Sequence, residues 1–306
     1  MIKKTLIVLS LLLLLLSFSK TVSSVSPPTV YILNSNRSIE KLFLSESSFK
    51  KHFSGKVKSF DLKELIRKRE DITKLIRPAK QDLIYCIGSS AFSFALKTYQ
   101  KKRLIFSSVI NWRRFDISEL TYGISNEAPL ETQLTLFKHM LPSIKKIGIV
   151  YSPKYNQGWF DEAQREANAF SLKLVGIPYK DSKPIDEAFA ELLPLVDAVW
   201  LIPDPVIITR SSFFKIVKRS EEMKKPLLTY SNAFVENGAV LAVSVEEMTV
   251  GRQTAVLIEQ LIKKATIKER IQKPAGSNIS LNLKKVKEFK LMINANALGD
   301  VNRIIE

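Results

Sequence analysis

The feature that most limits what this chain can fold into is a strand-then-helix rhythm that runs through it twice. TVYILNS, from Thr29 to Ser35, is an apolar run that ends at Asn34-Ser35-Asn36. KVKSFDL, DLIYCIG, RLIFSSVI and LTYGISN repeat the theme, with helix-like stretches between the earlier ones. A second series starts past Asn126, with strand candidates KKIGIVYS, LKLVGIPY, DAVWLIP, LLTYS and GAVLAVSV. Helical segments such as QGWFDEAQREANAFS and TRSSFFKIVKRSEEMKKP separate its earlier members. A strand that is apolar at every position, without period-two alternation, is covered on both faces, which is the habit of parallel sheets. The expected fold class is therefore α/β: two doubly wound, Rossmann-like lobes joined by a hinge. Residues 25–125 form the first lobe, completed by about 244–275. Residues 126–243 form the second, completed by about 276–290, and 291–306 are read as an irregular C-terminal tail. LKELIRKREDITKLIRP is read as one amphipathic helix closed by Pro78.

The first 24 residues do not belong to either lobe. Two lysines, an apolar core from Leu6 to Phe18 interrupted only by Ser10 and Ser17, and then small polar residues give the three-part pattern of a cleavable secretory signal. Val22 and Ser24 suit the positions before a cleavage site, and no cysteine follows for lipid attachment. An uncleaved anchor is the rival reading. The expected location is the periplasm, reached through the inner membrane. Cys86 is the only cysteine, so no intrachain disulfide exists, and its apolar strand context reads as a small buried hydrophobe. The formal charge of +17 loses three lysines with the leader and becomes +14. Basic residues are scattered and no nucleic-acid module is legible, so no nucleic-acid partner is expected.

Ligands of open parallel sheets meet the C-terminal ends of the strands. VDAVWLIPDPVI places Asp204 at such an end, between Pro203 and Pro205, which fix the backbone on either side. Two readings stand open there: a carboxylate offered to a ligand ammonium or hydroxyl, or a turn and capping residue. In IGSSAFSFAL a strand ends, Gly88 turns the chain, and Ser89 and Ser90 begin a helix whose free N–H groups suit an anion. Serine also caps helices irrespective of function. In YSPKYNQG, read as a loop, Tyr155 and Asn156 follow a strand; in LTYSN, Tyr230 and Ser231 do, and Asn34 and Ser35 hold the same place after the first strand. Trp112 is a candidate aromatic wall, while Trp200 reads as core. His52 and His139 lack partners at motif spacing. No metal cluster, G-x-S-x-G elbow or paired carboxylates appear, so neither catalysis nor a cofactor is expected.

Several segments together resemble a known family: KKIGIVYSPKYNQG, VDAVWLIPDPVI, KKPLLTYSNAFVENGAVLAVSVEEMTVGRQTAVLIEQLI and ISLNLKKVKEFKLMI. They are similar to the periplasmic-binding-protein type I group of ABC transporter substrate-binding proteins, in the branch that binds tryptophan or tyrosine. The resemblance implies a clamshell that traps a small ligand such as an amino acid and hands it, as a monomer, to a membrane permease with its ATPase. It also implies that the turn at Ser89 holds a ligand carboxylate and that Asn156 faces the cleft. Ser107, Asn111 and Trp112, in RLIFSSVINWRRF, depart from the family pattern. A ligand-sensing adaptor for a membrane receptor or kinase, and an exported enzyme, are the alternatives.

Overall fold

A computed structural model describes residues 27–180 and 184–306, so the leader expected in residues 1–24 lies outside the described residues. The chain forms two sheets, each sandwiched between helices. Among the described residues, no helix is long and apolar enough to cross a membrane.

The first sheet contains β1 (Val30–Asn34), β2 (Val57–Asp61), β3 (Leu83–Ile87), β4 (Arg103–Ser107), β5 (Thr121–Ile124) and β11 (Ile271–Gln272). Its order is β2-β1-β3-β4-β5-β11, and every pairing is parallel. The continuous apolar runs are explained by what lies on each face. Val30 and Ile32 of β1, with Leu83 and Tyr85 of β3, pack against α1 (Glu40–His52) and α10 (Glu247–Ile262). Their alternates Tyr31, Leu33, Ile84 and Cys86 pack on the other face with α2 (Leu62–Arg67), α3 (Ile72–Leu75) and α4 (Ser89–Thr98). Each fully buried aliphatic side chain of this kind contributes about 1.5–3 kcal/mol. Helices α1 and α10 approach so closely that a Cβ on Gly251 would lie 2.2 Å from the Ser45 carbonyl oxygen. The Ser48 hydroxyl donates to the Met248 carbonyl across the same seam, at 2.6 Å.

The second sheet contains β6 (Lys146–Tyr151), β7 (Lys173–Pro178), β8 (Ala198–Leu201), β9 (Leu227–Thr229), β10 (Leu241–Val245), β12 (Ser277–Asn282) and β13 (Arg303–Ile305). Its order is β7-β6-β8-β9-β10-β12-β13. Ile147, Ile149 and Trp200 pack with α5 (Leu130–Met140) and α6 (Pro153–Ala169), while Val150, Val199 and Leu201 pack with α7 (Ile185–Leu192) and α8 (Arg210–Glu222). Trp200 is core, meeting Phe137 and Trp159 edge-on at 5.0 and 5.2 Å. Only β12 runs antiparallel to its neighbour, β10. The remaining helices are α9 (Asn232–Glu236) and α11 (Leu283–Glu288).

Three local expectations are revised. The single helix read over residues 62–77 is two, because Arg69 adopts φ of 56° and Asp71 then caps a new start through the Thr73 and Lys74 N–H groups. YSPKYNQG is not a loop: α6 begins at Pro153, where the missing N–H of proline suits the first helical turn. Residues 291–306 are not irregular throughout, since Arg303–Ile305 pairs in parallel with β12 and Asn302 accepts the Ile279 N–H at 2.7 Å. Three residues are too few to display a hydrophobic period.

Candidate functional site

The chain beyond β4 in the first sheet meets the chain beyond β6 and β8 in the second. Asn111 follows β4 in the first lobe. Its amide donates to the Pro203 carbonyl, at 2.8 Å, and to Asn156 Oδ1, at 3.4 Å, both in the second lobe. Asn111 holds a left-handed backbone (φ 45°), is fully buried, and its Oδ1 has no partner. Beside this bridge lies a cavity of about 670 Å³, in the range that suits small organic ligands. Ser89, Ile110 and Arg114 line it from the first lobe. The second lobe supplies a longer wall, running from Asp204 to Phe214 and from Tyr230 to Asn237.

Asp204 sits at the junction and is 2% exposed. Its Oδ2 accepts the Ser152 N–H at 2.7 Å and the Asn156 side-chain amide at 2.6 Å. Its Oδ1 accepts the Val206 and Ile207 N–H groups at 2.9 and 3.2 Å. Four donors fill the roughly four lone-pair positions of a carboxylate. The expected contact from Asp204 to a ligand ammonium therefore has no free lone pair to form through. Its charge instead folds the Pro203–Ile207 turn and pins it to the start of α6. Asn156 is held in the same network, 3% exposed, on the first turn of α6.

In the first lobe, Gly88 precedes α4 with φ of 87°, and a Cβ there would come within 2.7 Å of Ser35 Oγ. Glycine leaves the helix without its own side-chain cap. Ser35 supplies one from the neighbouring strand end: its hydroxyl accepts the Ala91 N–H at 2.9 Å. Ser89 Oγ accepts the Ile110 N–H at 3.1 Å and so ties the helix start to the loop that carries Asn111. Ser90 is exposed and does not line the cavity.

Other candidates are placed elsewhere. Asn34 is fully buried within its own lobe, donating to the Leu42 carbonyl and to Glu46, at 3.1 and 2.8 Å. Burial pushes the Glu46 carboxyl up, but hydrogen bonds from Arg37, Lys50, Ser59 and Asn34 outweigh it and hold it at about 2. Tyr155 is half-buried under Lys154, 5.1 Å from its ring, and does not line the cavity. Trp112 also stands off it, packed on Phe106 at 6.2 Å with Arg113 over its ring. Ser231 is the half-buried residue before α9 and makes no side-chain cap bond.

Tyr230 does line the cavity. Burial, with the nearby charges of Glu127 and Asp204, pushes its phenol well above the usual range, so it remains a neutral donor. Thus Ser89, Asp204 and Tyr230 are brought together, and Asn156 joins them through Asp204. Sequence reasoning missed Arg114, Arg210, Phe213, Phe214 and Phe234. TRSSFF was legible only as helix; that its first turn follows a strand's C-terminal end was the available signal. Cys86 is buried, which pushes its thiol far up and leaves it unreactive. Among the described residues no cluster of side chains is arranged to hold a metal ion.

Two doubly wound lobes with a ligand-sized cavity between their strand ends define a periplasmic-binding-protein type I fold. The profile of the ABC transporter substrate binding protein family matches residues 53–304, and the chain belongs to that family. A Tyrosine-binding protein of Clostridioides difficile (strain R20291) is 21% identical over 193 residues, 60% of this chain and 55% of that protein. The chain thus matches about half the length of this curated relative. An ABC domain from Streptococcus pneumonia, crystallised in complex with L-Trp, is 19% identical with a TM-score of 0.61, covering 90% of this chain and 100% of that one. A substrate-binding protein with adhesive properties from Clostridium difficile, in its ligand-free, open form, is 15% identical with a TM-score of 0.64, covering 91% and 99%.

Proposed function

We propose that this protein is an exported solute-binding protein that captures one small organic molecule, of amino-acid size, between its lobes and delivers it to an ABC importer. The observation that carries this reading is the cavity of about 670 Å³ walled by both lobes. Family membership supports it, as do relatives named for tyrosine and crystallised with L-Trp. The leader read in residues 1–24 supports export to the periplasm. Of the residues singled out from sequence, Ser89 and Tyr230 contact the ligand in this reading. Asp204 and Asn156 shape the wall. The protein works as a monomer, and its partners are a permease and an ATPase at the inner membrane. It performs no chemistry on the ligand.

A thermal-shift screen of the chain starting at Val25, against amino acids, purines, sugars and small organic acids, tests this. A captured ligand raises Tm by mass action, about 2.7 kcal/mol of added stability at a hundredfold excess over Kd. Ligand that binds between lobes also lowers the radius of gyration in solution scattering. A screen in which no solute raises Tm would overturn the reading.

A further inference from the structure

The charges around the cavity are unequal, and that inequality selects a ligand class. Two guanidiniums reach the cavity, Arg114 from the first lobe and Arg210 from the first turn of α8. Both residues are exposed, and neither has a carboxylate partner among the described residues. Arg114 lies over the Phe115 ring at 4.7 Å, a contact that leaves its N–H edge free. The acid that lines the cavity and the one that lies near Tyr230 are both already engaged. Asp204 accepts four hydrogen bonds from its own lobe. Glu127 lies near Tyr230 and takes both its bonds from Arg113, at 2.7 and 2.9 Å. A ligand carboxylate therefore meets two unpaired cations and the Ser89 and Tyr230 hydroxyls. A ligand ammonium meets no free carboxylate, only neutral oxygens such as those of Thr209 and Asn237, and giving up water for these beside two cations is unfavourable for a positive charge.

Apart from Thr209 and Asn237, the rest of the wall is apolar and rich in aromatic rings. Phe213 and Phe234 stack at 4.4 Å with their planes 22° apart, and Tyr230 meets Phe234 edge-on at 5.5 Å. Ile110 and Ile208 face the same space. Aromatic walls of this kind favour a ring packed against them.

We infer that the site selects an aromatic carboxylate without an α-amino group, its ring on the Phe213–Phe234 wall and its carboxylate between Arg114 and Arg210. The inference rests on the reading that the lobes capture a small molecule, and it names the class of that molecule. Specificity then comes from an omission, since the pocket holds no free carboxylate to balance the ammonium of a zwitterion.

Calorimetry on the chain starting at Val25 tests it with matched pairs: 3-phenylpropanoate against L-phenylalanine, and indole-3-propionate against L-tryptophan. In each pair the acid without the amine is expected to bind at least roughly tenfold more tightly. Arg114→Gln and Arg210→Gln are each expected to weaken the acid by about tenfold or more, with Tm and far-UV circular dichroism unchanged because both side chains are exposed. Equal or tighter binding of the amino acid overturns the inference and leaves the capture reading standing. So does binding of some other solute class alone. Acid binding that ignores both arginine substitutions overturns the assigned carboxylate position. Failure of every solute to bind overturns both readings together.

Discussion

The third strand of each sheet occupies the same place in the strand order, and the two lobes finish it differently. In the first lobe β3 ends at Ile87, one glycine turns the chain, and α4 begins at once. In the second lobe β8 ends at Leu201, and the chain makes a longer excursion before α8 begins at Arg210. The short turn needs backbone freedom and a cap borrowed from Ser35. The long one needs a buried carboxylate to collect the N–H groups its irregular backbone leaves unpaired. What the excursion gains is wall: Asp204, Pro205, Ile208 and Thr209 all line the cavity, against Ser89 alone from the short turn. One fold position thus serves as an anchor in one lobe and as a pocket-builder in the other.

The sharpest way to break this comparison is Asp204→Ala. It strands four donors in a 2%-exposed site and is expected to cost about 3 kcal/mol, read by urea denaturation. Full stability combined with abolished ligand binding would show instead that the carboxylate serves the ligand. Next comes acid. One of the first lobe's buried acids, Glu46, has its carboxyl held at about 2 against an ordinary value of 4.5. A depressed folded value means its stabilisation is fully present above about 4.5 and is lost as pH falls toward about 2. Stability of Glu46→Gln should fall less steeply across that window than that of the natural chain. Parallel pH curves for the two would refute this assignment.

Gly88→Ala is expected to cost about 2 kcal/mol, since φ of 87° strains any Cβ and Ser35 Oγ already occupies its space. A melting point within error of the natural chain's would mean the turn can relax. Least costly is Ser35→Ala, which removes a cap from α4 and should destabilise by about 1 kcal/mol. Hydrogen exchange should quicken at the Ala91 amide; no change there would show that the hydroxyl is not the cap.

Much of the architecture was legible because hydrophobic period is a local property. DLIYCIG reads as a strand buried on both faces, and Tyr85 and Cys86 do face opposite helical layers. IGSS announced a helix start, and Ser89 stands there. The site was legible as a set of strand ends but not as a set of roles. Asn34 looked like a rim residue, yet Glu46 turns it inward. Trp112 looked like a wall, yet Phe106 takes its face. The arginines and phenylalanines that do line the cavity sit in an ordinary amphipathic helix and a basic loop, with nothing unusual in their spacing.

By itself, the sequence determined two α/β lobes, a turn at Gly88, and a stiffened aspartate after the strand AVWLI, because each follows from neighbours a few residues apart. Only the tertiary structure decided what that aspartate does. Two of its four donors, the Ser152 N–H and the Asn156 amide, lie 52 and 48 residues away along the chain. Whether a charged group faces ligand or protein depends on which donors the fold delivers to it, and local spacing carries no record of that delivery.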